Sequence, residues 1–166
     1  IERIKAQIKE PLFAHLSCFN VTEHERKLAI QLNIPIYGCD PDLLYVGTKT
    51  GSRRLFKKLN LLLPKGYEGL KNELNITETL TKHKKKNPSL QKAVIKMDDG
   101  FLGEGNAVFY YNDIPADSES LPNDILEKLP YQTKVVAAHV SYTQYINKFC
   151  TMGGIAEEFL QGEIKE

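Results

Sequence analysis

The stretch Lys92–Tyr111 constrains this chain most. Ala93–Ile95 and Ala107–Tyr111 are apolar runs rich in β-branched and aromatic side chains, and each reads as a strand. Between them lies a loop with Gly100, Gly103 and Gly105, and Lys96 stands at the end of the first strand. Strand, glycine loop, strand is a hairpin. Two readings of it stand side by side. Glycine is the default turn residue, so the loop can be a long mobile turn beside a surface lysine. Glycine also lets backbone N–H groups approach an anion closely, and the lysine adds a point charge, so the loop can fold over a phosphate chain. The spacing is neither GxxxxGK[ST] nor a GxGxxG that opens a helix, and the element after the loop is a strand.

With 166 residues, 42% apolar and 26% charged, the chain is globular and large enough for one domain or two small lobes. A formal net charge of +1 gives no bulk electrostatic case for nucleic acid. No apolar run is long enough for a membrane span. Cys18, Cys39 and Cys150 are widely spaced, with no CxxC pair for zinc, and predict reduced thiols in a reducing compartment. Ile1 falls inside an amphipathic pattern and Glu166 follows a strand-like run, so the chain reads as a fragment.

Taken in order, residues 1–9 predict a helix and Leu12–Cys18 a buried strand. Thr22 with Glu25 makes a capping box for a helix reaching about Leu32, with Leu28, Ala29 and Leu32 inward. Ile34–Gly38 is a short strand, so the opening third is a βαβ unit and implies parallel pairing. Gly47-Thr48-Lys49-Thr50-Gly51-Ser52-Arg53 opens a helix whose apolar face is Leu55, Phe56 and Leu59. Its basic, hydroxyl-rich start suits an anion, or else the helix is simply solvated and amphipathic. Leu61–Leu63 predicts a strand, Tyr67–Lys71 a turn or short helix, and Asn75–Lys84 a helix with Ile76, Leu80 and Leu74 inward. Lys82–Lys86 reads as a solvated helix end. Asn112–Pro122 is loop-like, Asp124–Leu129 a turn or two of helix, and Val135–Val140 strand or helix. Tyr142–Phe149 has helical spacing with Tyr142, Tyr145, Ile146 and Phe149 on a core face, and Ile155–Leu160 is a last strand.

This order of parts resembles the front portion of the ATP-grasp superfamily. The likeness rests on residues 47–53, 93–107 and 154–163 together. Pairing GTKTGSR with DDGFLGEGNA is similar both to the pheganomycin-type peptide ligases and to the ATP-grasp-like region of the IQ motif-containing protein H type. The implied class is α/β, a partial ATP-grasp fold. Residues 1–40 would end the pre-ATP-grasp βαβ domain, 41–150 would form the first lobe with its glycine-loop hairpin, and 151–166 would lead into a second lobe.

The resemblance also implies roles. Lys49 and Lys96 would contact phosphate. Gly103, Glu104, Gly105 and Asn106 would close over the β- and γ-phosphates. Glu157, Glu158 and Leu160 would form the adenine hinge, and Glu163 would hold the ribose hydroxyls. Phe101-Leu102 departs from the small, polar residues usual in such a loop. The implied cofactors are ATP and Mg²⁺, with the metal ligands beyond Glu166, so this segment alone is not expected to catalyse. The implied partners are ATP and a small carboxylate or amine substrate, in a carboxylate–amine ligase acting through an acyl phosphate. The alternative is a non-catalytic scaffold with protein partners, cytoskeletal or ciliary rather than generally cytoplasmic. A third reading is an α/β module with an unrelated small-molecule site.

Overall fold

A computed structural model describes residues 1–100, 103–160 and 162; Phe101, Leu102 and Glu163 lie outside them. The chain forms two compact units, Ile1–Gly47 and Thr48–Glu166.

The first unit is the expected βαβ element. After a short helix α1 (Glu2–Lys5) and a 3-10 turn at Pro11–Phe13, β1 (Leu16–Ser17) pairs in parallel with β2 (Ile36–Tyr37) across α2 (Glu23–Leu32). The Thr22–Glu25 capping box is present, and Ala29 and Leu32 are buried. The two longer expectations fail. The helix over residues 1–9 shrinks to α1, and the strand over Leu12–Cys18 shrinks to β1 because Pro11 starts a turn that leaves Leu12 and Phe13 exposed. A second 3-10 turn, Pro41–Leu43, and a one-turn helix α3 (Leu44–Gly47) close the unit.

The second unit is a five-stranded antiparallel sheet. Its elements are α4 (Lys49–Lys58), β3 (Gly66–Leu70), α5 (Glu73–Lys86), β4 (Lys92–Met97), β5 (Asn106–Tyr110), α6 (Leu121–Gln132), β6 (Thr133–Val135), α7 (Tyr142–Met152) and β7 (Gly154–Glu158). Strand order is β3-β7-β4-β5-β6, so the last strand is central. Register puts Ile95 opposite both Ala107 and Ala156, and Ala93 opposite Phe109. Side chains alternate along a strand, so Ala93, Ile95, Met97, Ala107, Phe109 and Ala156 share one face. Helices α5, α6 and α7 cover it with Ile76 and Leu80, with Leu121, Ile125 and Leu129, and with Tyr145, Ile146 and Phe149. Burying such side chains contributes roughly 1.5–3 kcal/mol each.

The opposite face carries Val94 and Lys96, Asn106 and Val108, Ile155 and Glu157, and Glu68. Here α4 packs, and the expected inward face is wrong. Leu55, Phe56 and Leu59 are exposed, whereas Thr50, Gly51 and Arg53 are buried. The surface beneath α4 presents carboxylates rather than hydrocarbon, so its polar side turns in.

Leu61–Leu63 is not a strand. The amide of Leu61 donates to Phe56 O after a left-handed Asn60, and Leu62 is fully exposed. The strand begins instead at Gly66, within the segment expected to turn. A Cβ at Gly66 would stand 2.6 Å from Ala156 O, so the close strand pairing there needs glycine. Leu74 faces out, while His83 and Lys84 at the supposedly solvated helix end are buried. Lys84 Nζ donates to Pro88 O (2.8 Å) and Leu90 O (3.0 Å), taking up carbonyls beyond the end of α5, and its burial lowers its pKa.

Candidate functional site

The β4–β5 hairpin is real, and its loop is tightly closed at the root. Met97 N donates to Gly105 O (2.8 Å) and Asn106 N to Gly103 O (2.9 Å). Gly103 has φ +84°, and a Cβ at Gly100 would stand 2.9 Å from the Cα of Gly105, so two glycine backbones pass each other directly. From the core side, Tyr145 Oη donates to Ile95 O (3.0 Å) and Gly105 O (3.2 Å). Burial raises the Tyr145 pKa and keeps this donor protonated.

Asp98, one residue past β4, joins three elements. Its carboxylate accepts from Thr50 N at 2.8 Å and its carbonyl from Lys49 N at 3.2 Å, while its own amide donates to Gly153 O at 2.9 Å. Thr48 caps the same helix by accepting from Gly51 N at 2.9 Å. The start of α4 does attract an anion, and that anion is the protein's own Asp98.

At the middle of the exposed sheet face, Lys96 Nζ pairs with Glu157 Oε1, and the lysine side chain is 29% exposed against 7% for the glutamate. Arg53 reaches the same carboxylate from α4, Nη1 to Oε2 at 2.7 Å. Its Nη2 donates to Pro64 O at 3.0 Å, and Nε approaches Glu68 at 3.5 Å. Lys57 Nζ completes the chain of charges, 2.7 Å from Glu68. Desolvating these charges is costly, so their mutual pairing is what makes the burial tolerable.

The structure therefore brings together Lys96, Asn106 and Glu157, since Asn106 is the cross-strand partner of Lys96 on one face. Lys49 stands at the first turn of α4 beside Asp98, and Gly103, Glu104 and Gly105 follow the hairpin tip, with Glu104 exposed. Glu158 points to the other face of β7, its amide already donated to Lys65 O at 2.8 Å. Leu160 lies beyond the strand with its side chain 64% exposed. Glu163 and the Phe101-Leu102 pair are outside the described residues.

Sequence reasoning missed Arg53 and Glu68. A signal existed: on α4, Thr50 and Arg53 are spaced i, i+3, so a buried polar stripe was readable once the apolar residues were allowed to face out.

A polyphosphate nucleotide fits this donor set. Lys96 reaches the surface between apolar neighbours Val94 and Val108, with Asn106 beside it. Among the described residues no three His, Cys, Asp or Glu side chains converge. Among them, too, no helix is long and apolar enough to cross a membrane.

Residues 43–123, from the turn before α4 through the hairpin to the start of α6, match a protein-family model. The family matched over them is described as IQCH-like, ATP-grasp. No solved structure matches the chain.

Proposed function

We propose that this chain supplies the nucleotide-binding side of an ATP-grasp site, in a protein that joins a carboxylate to an amine. ATP would transfer its γ-phosphoryl group to a carboxylate oxygen, releasing ADP, and the amine would then displace phosphate from the acyl phosphate. The observation that supports this most is the Lys96–Glu157–Arg53 group on the strand face that also carries Val94, Val108, Asn106 and Glu68. Glu157 holds the Lys96 ammonium where it can meet a phosphate oxygen, and Arg53 keeps Glu157 in place. Asn106 adds a neutral donor next to Lys96. Lys49 and the Gly103–Asn106 turn would approach the phosphates from the hairpin end, and Glu158 with Leu160 would flank the base. Mg²⁺ ligands are not among the described residues, and no step is assigned to the metal.

A second reading is a scaffold of the same family that binds no nucleotide. Asp98 favours it, because a carboxylate already occupies the helix start that would otherwise receive a phosphate.

Calorimetry with Mg-ATP on the full-length protein separates the two. Under the nucleotide reading, Lys96→Ala loses a charge-assisted contact of about 1.5–3 kcal/mol, so affinity falls tenfold or more. Equal affinity in the two proteins removes Lys96 from the site. Absence of any binding heat or thermal stabilisation by millimolar Mg-ATP favours the scaffold.

A further inference from the structure

The second unit has another concavity, which shares Arg53 and Glu158 with the proposed nucleotide site but does not include Lys96. A cleft of about 400 Å³ opens at the start of β3, between the last turns of α4 and α5 and the loop before the strand. Leu63, Pro64 and Leu90 give it an apolar wall, and Lys65, Lys86 and His83 give it polar groups. His83 is 5% exposed, and neither of its ring nitrogens has a hydrogen-bond partner. Buried polar atoms are nearly always satisfied, so an imidazole left with two unused nitrogens on a cavity wall calls for a partner.

The described residues supply none. The Tyr67 ring lies 5.6 Å from the imidazole, a contact but not a hydrogen bond. Arg53 and Lys57 at the rim are committed to Glu157 and Glu68. Lys65 and Lys86 enter no ion pair among the described residues, and Lys86 Nζ donates only to the neutral Tyr67 hydroxyl, at 3.0 Å. Glu158, the one carboxylate among the described residues that line the cleft, accepts from the Lys65 amide at 3.1 Å. Two ammonium groups with no ion-pair partner among the described residues, one of them hydrogen-bonded to the Tyr67 hydroxyl, thus stand with the unpartnered imidazole over hydrocarbon.

We propose that this cleft binds a small organic phosphate, a phosphate monoester with an apolar body. Its phosphoryl oxygens meet Lys65, Lys86 and His83, and its body packs on Leu63, Pro64 and Leu90. Two cations suit a dianion, and the apolar wall excludes a free inorganic ion as the best ligand. The volume suits a molecule larger than phosphate itself.

The charges facing His83 are Glu158, Arg53, Lys86 and Glu157, and its burial holds the imidazole pKa below 6.5. A dianion bound beside it must push that pKa upward.

Phenyl phosphate is a suitable probe, titrated into the 166-residue chain while the imidazole C–H resonances are followed by NMR. Resonances of His83 are identified by their loss in His83→Gln. The expected result is a saturable shift of His83 together with a rise in its titration midpoint. Lys65→Ala/Lys86→Ala, two exposed positions, weakens binding about tenfold or more, and inorganic phosphate binds about tenfold more weakly than phenyl phosphate. Lys96→Ala leaves phenyl phosphate affinity unchanged, which separates this cleft from the proposed nucleotide face. The proposal is overturned if His83 does not respond at millimolar probe, or if its titration midpoint stays put. It is equally overturned if the lysine pair can be removed without loss, if inorganic phosphate binds as well, or if Lys96→Ala abolishes binding.

Discussion

Asp98 shows how much one side chain can organise. It satisfies the first amides of α4, ties the end of α7 to the hairpin and sits two residues past Lys96. Replacing it by alanine removes a cap acceptor, and we expect a loss of about 1 kcal/mol in chemical denaturation. A loss near zero would mean that Thr48 alone caps the helix.

His83 makes a pH-dependent contribution of known sign. Its pKa in the fold is lowered from the ordinary 6.5, chiefly by burial. The unfolded chain therefore binds the proton more readily. Stability from a neutral His83 is present above pH 6.5 and is lost as pH falls toward the folded value. Melting temperature measured from pH 7.5 to 5 should fall less steeply in His83→Gln than in the parent chain. Parallel curves would show that other groups govern the acid limb.

At the scale of elements, the hairpin, the βαβ unit and the core face of α7 were legible because each follows from a local pattern. Apolar runs rich in β-branched and aromatic residues marked β4 and β5, the Thr22–Glu25 pair marked α2, and helical spacing marked Tyr145 and Phe149. Helix α4 was misread for a physical reason. Periodicity tells which residues share a side of a helix, but the side that turns inward depends on what it meets. Here it meets Glu68 and Glu157, contributed by strands far along the sequence. Likewise β3 was hidden, since a segment with two glycines and a proline nearby looks like a turn until its partner β7 is known. Of the proposed site, Lys96, Asn106 and Glu157 came from the family resemblance, whereas the partners of Arg53 could not be placed without the sheet. The inverted helix gives a direct check. Phe56→Glu, on the exposed side of α4, should change stability by no more than about 0.5 kcal/mol. Phe109→Ala, fully buried in β5, should cost about 3–5 kcal/mol. A large penalty at Phe56 would show that this side is covered in solution.

At the scale of the whole chain, there are two compact units, and residues 43–123 match the family model described as IQCH-like, ATP-grasp. That segment holds the hairpin and the basic helix but not Glu157, which β7 delivers from beyond it. The strand order turns this into a matter of timing. Of the five described strands of this sheet β7 is made last, yet it lies between β3 and β4 and hydrogen-bonds to both. Until it arrives, a nascent chain on the ribosome exposes two raw strand edges and leaves Arg53 and Lys96 without their shared carboxylate. Such late, long-range pairing slows folding and leaves edges open to wrong partners. A chain arrested after Met152 should accordingly resist no protease across β3, whereas one that has also emitted Glu158 should be protected there. Protection before β7 emerges would show that β3 finds its place without it.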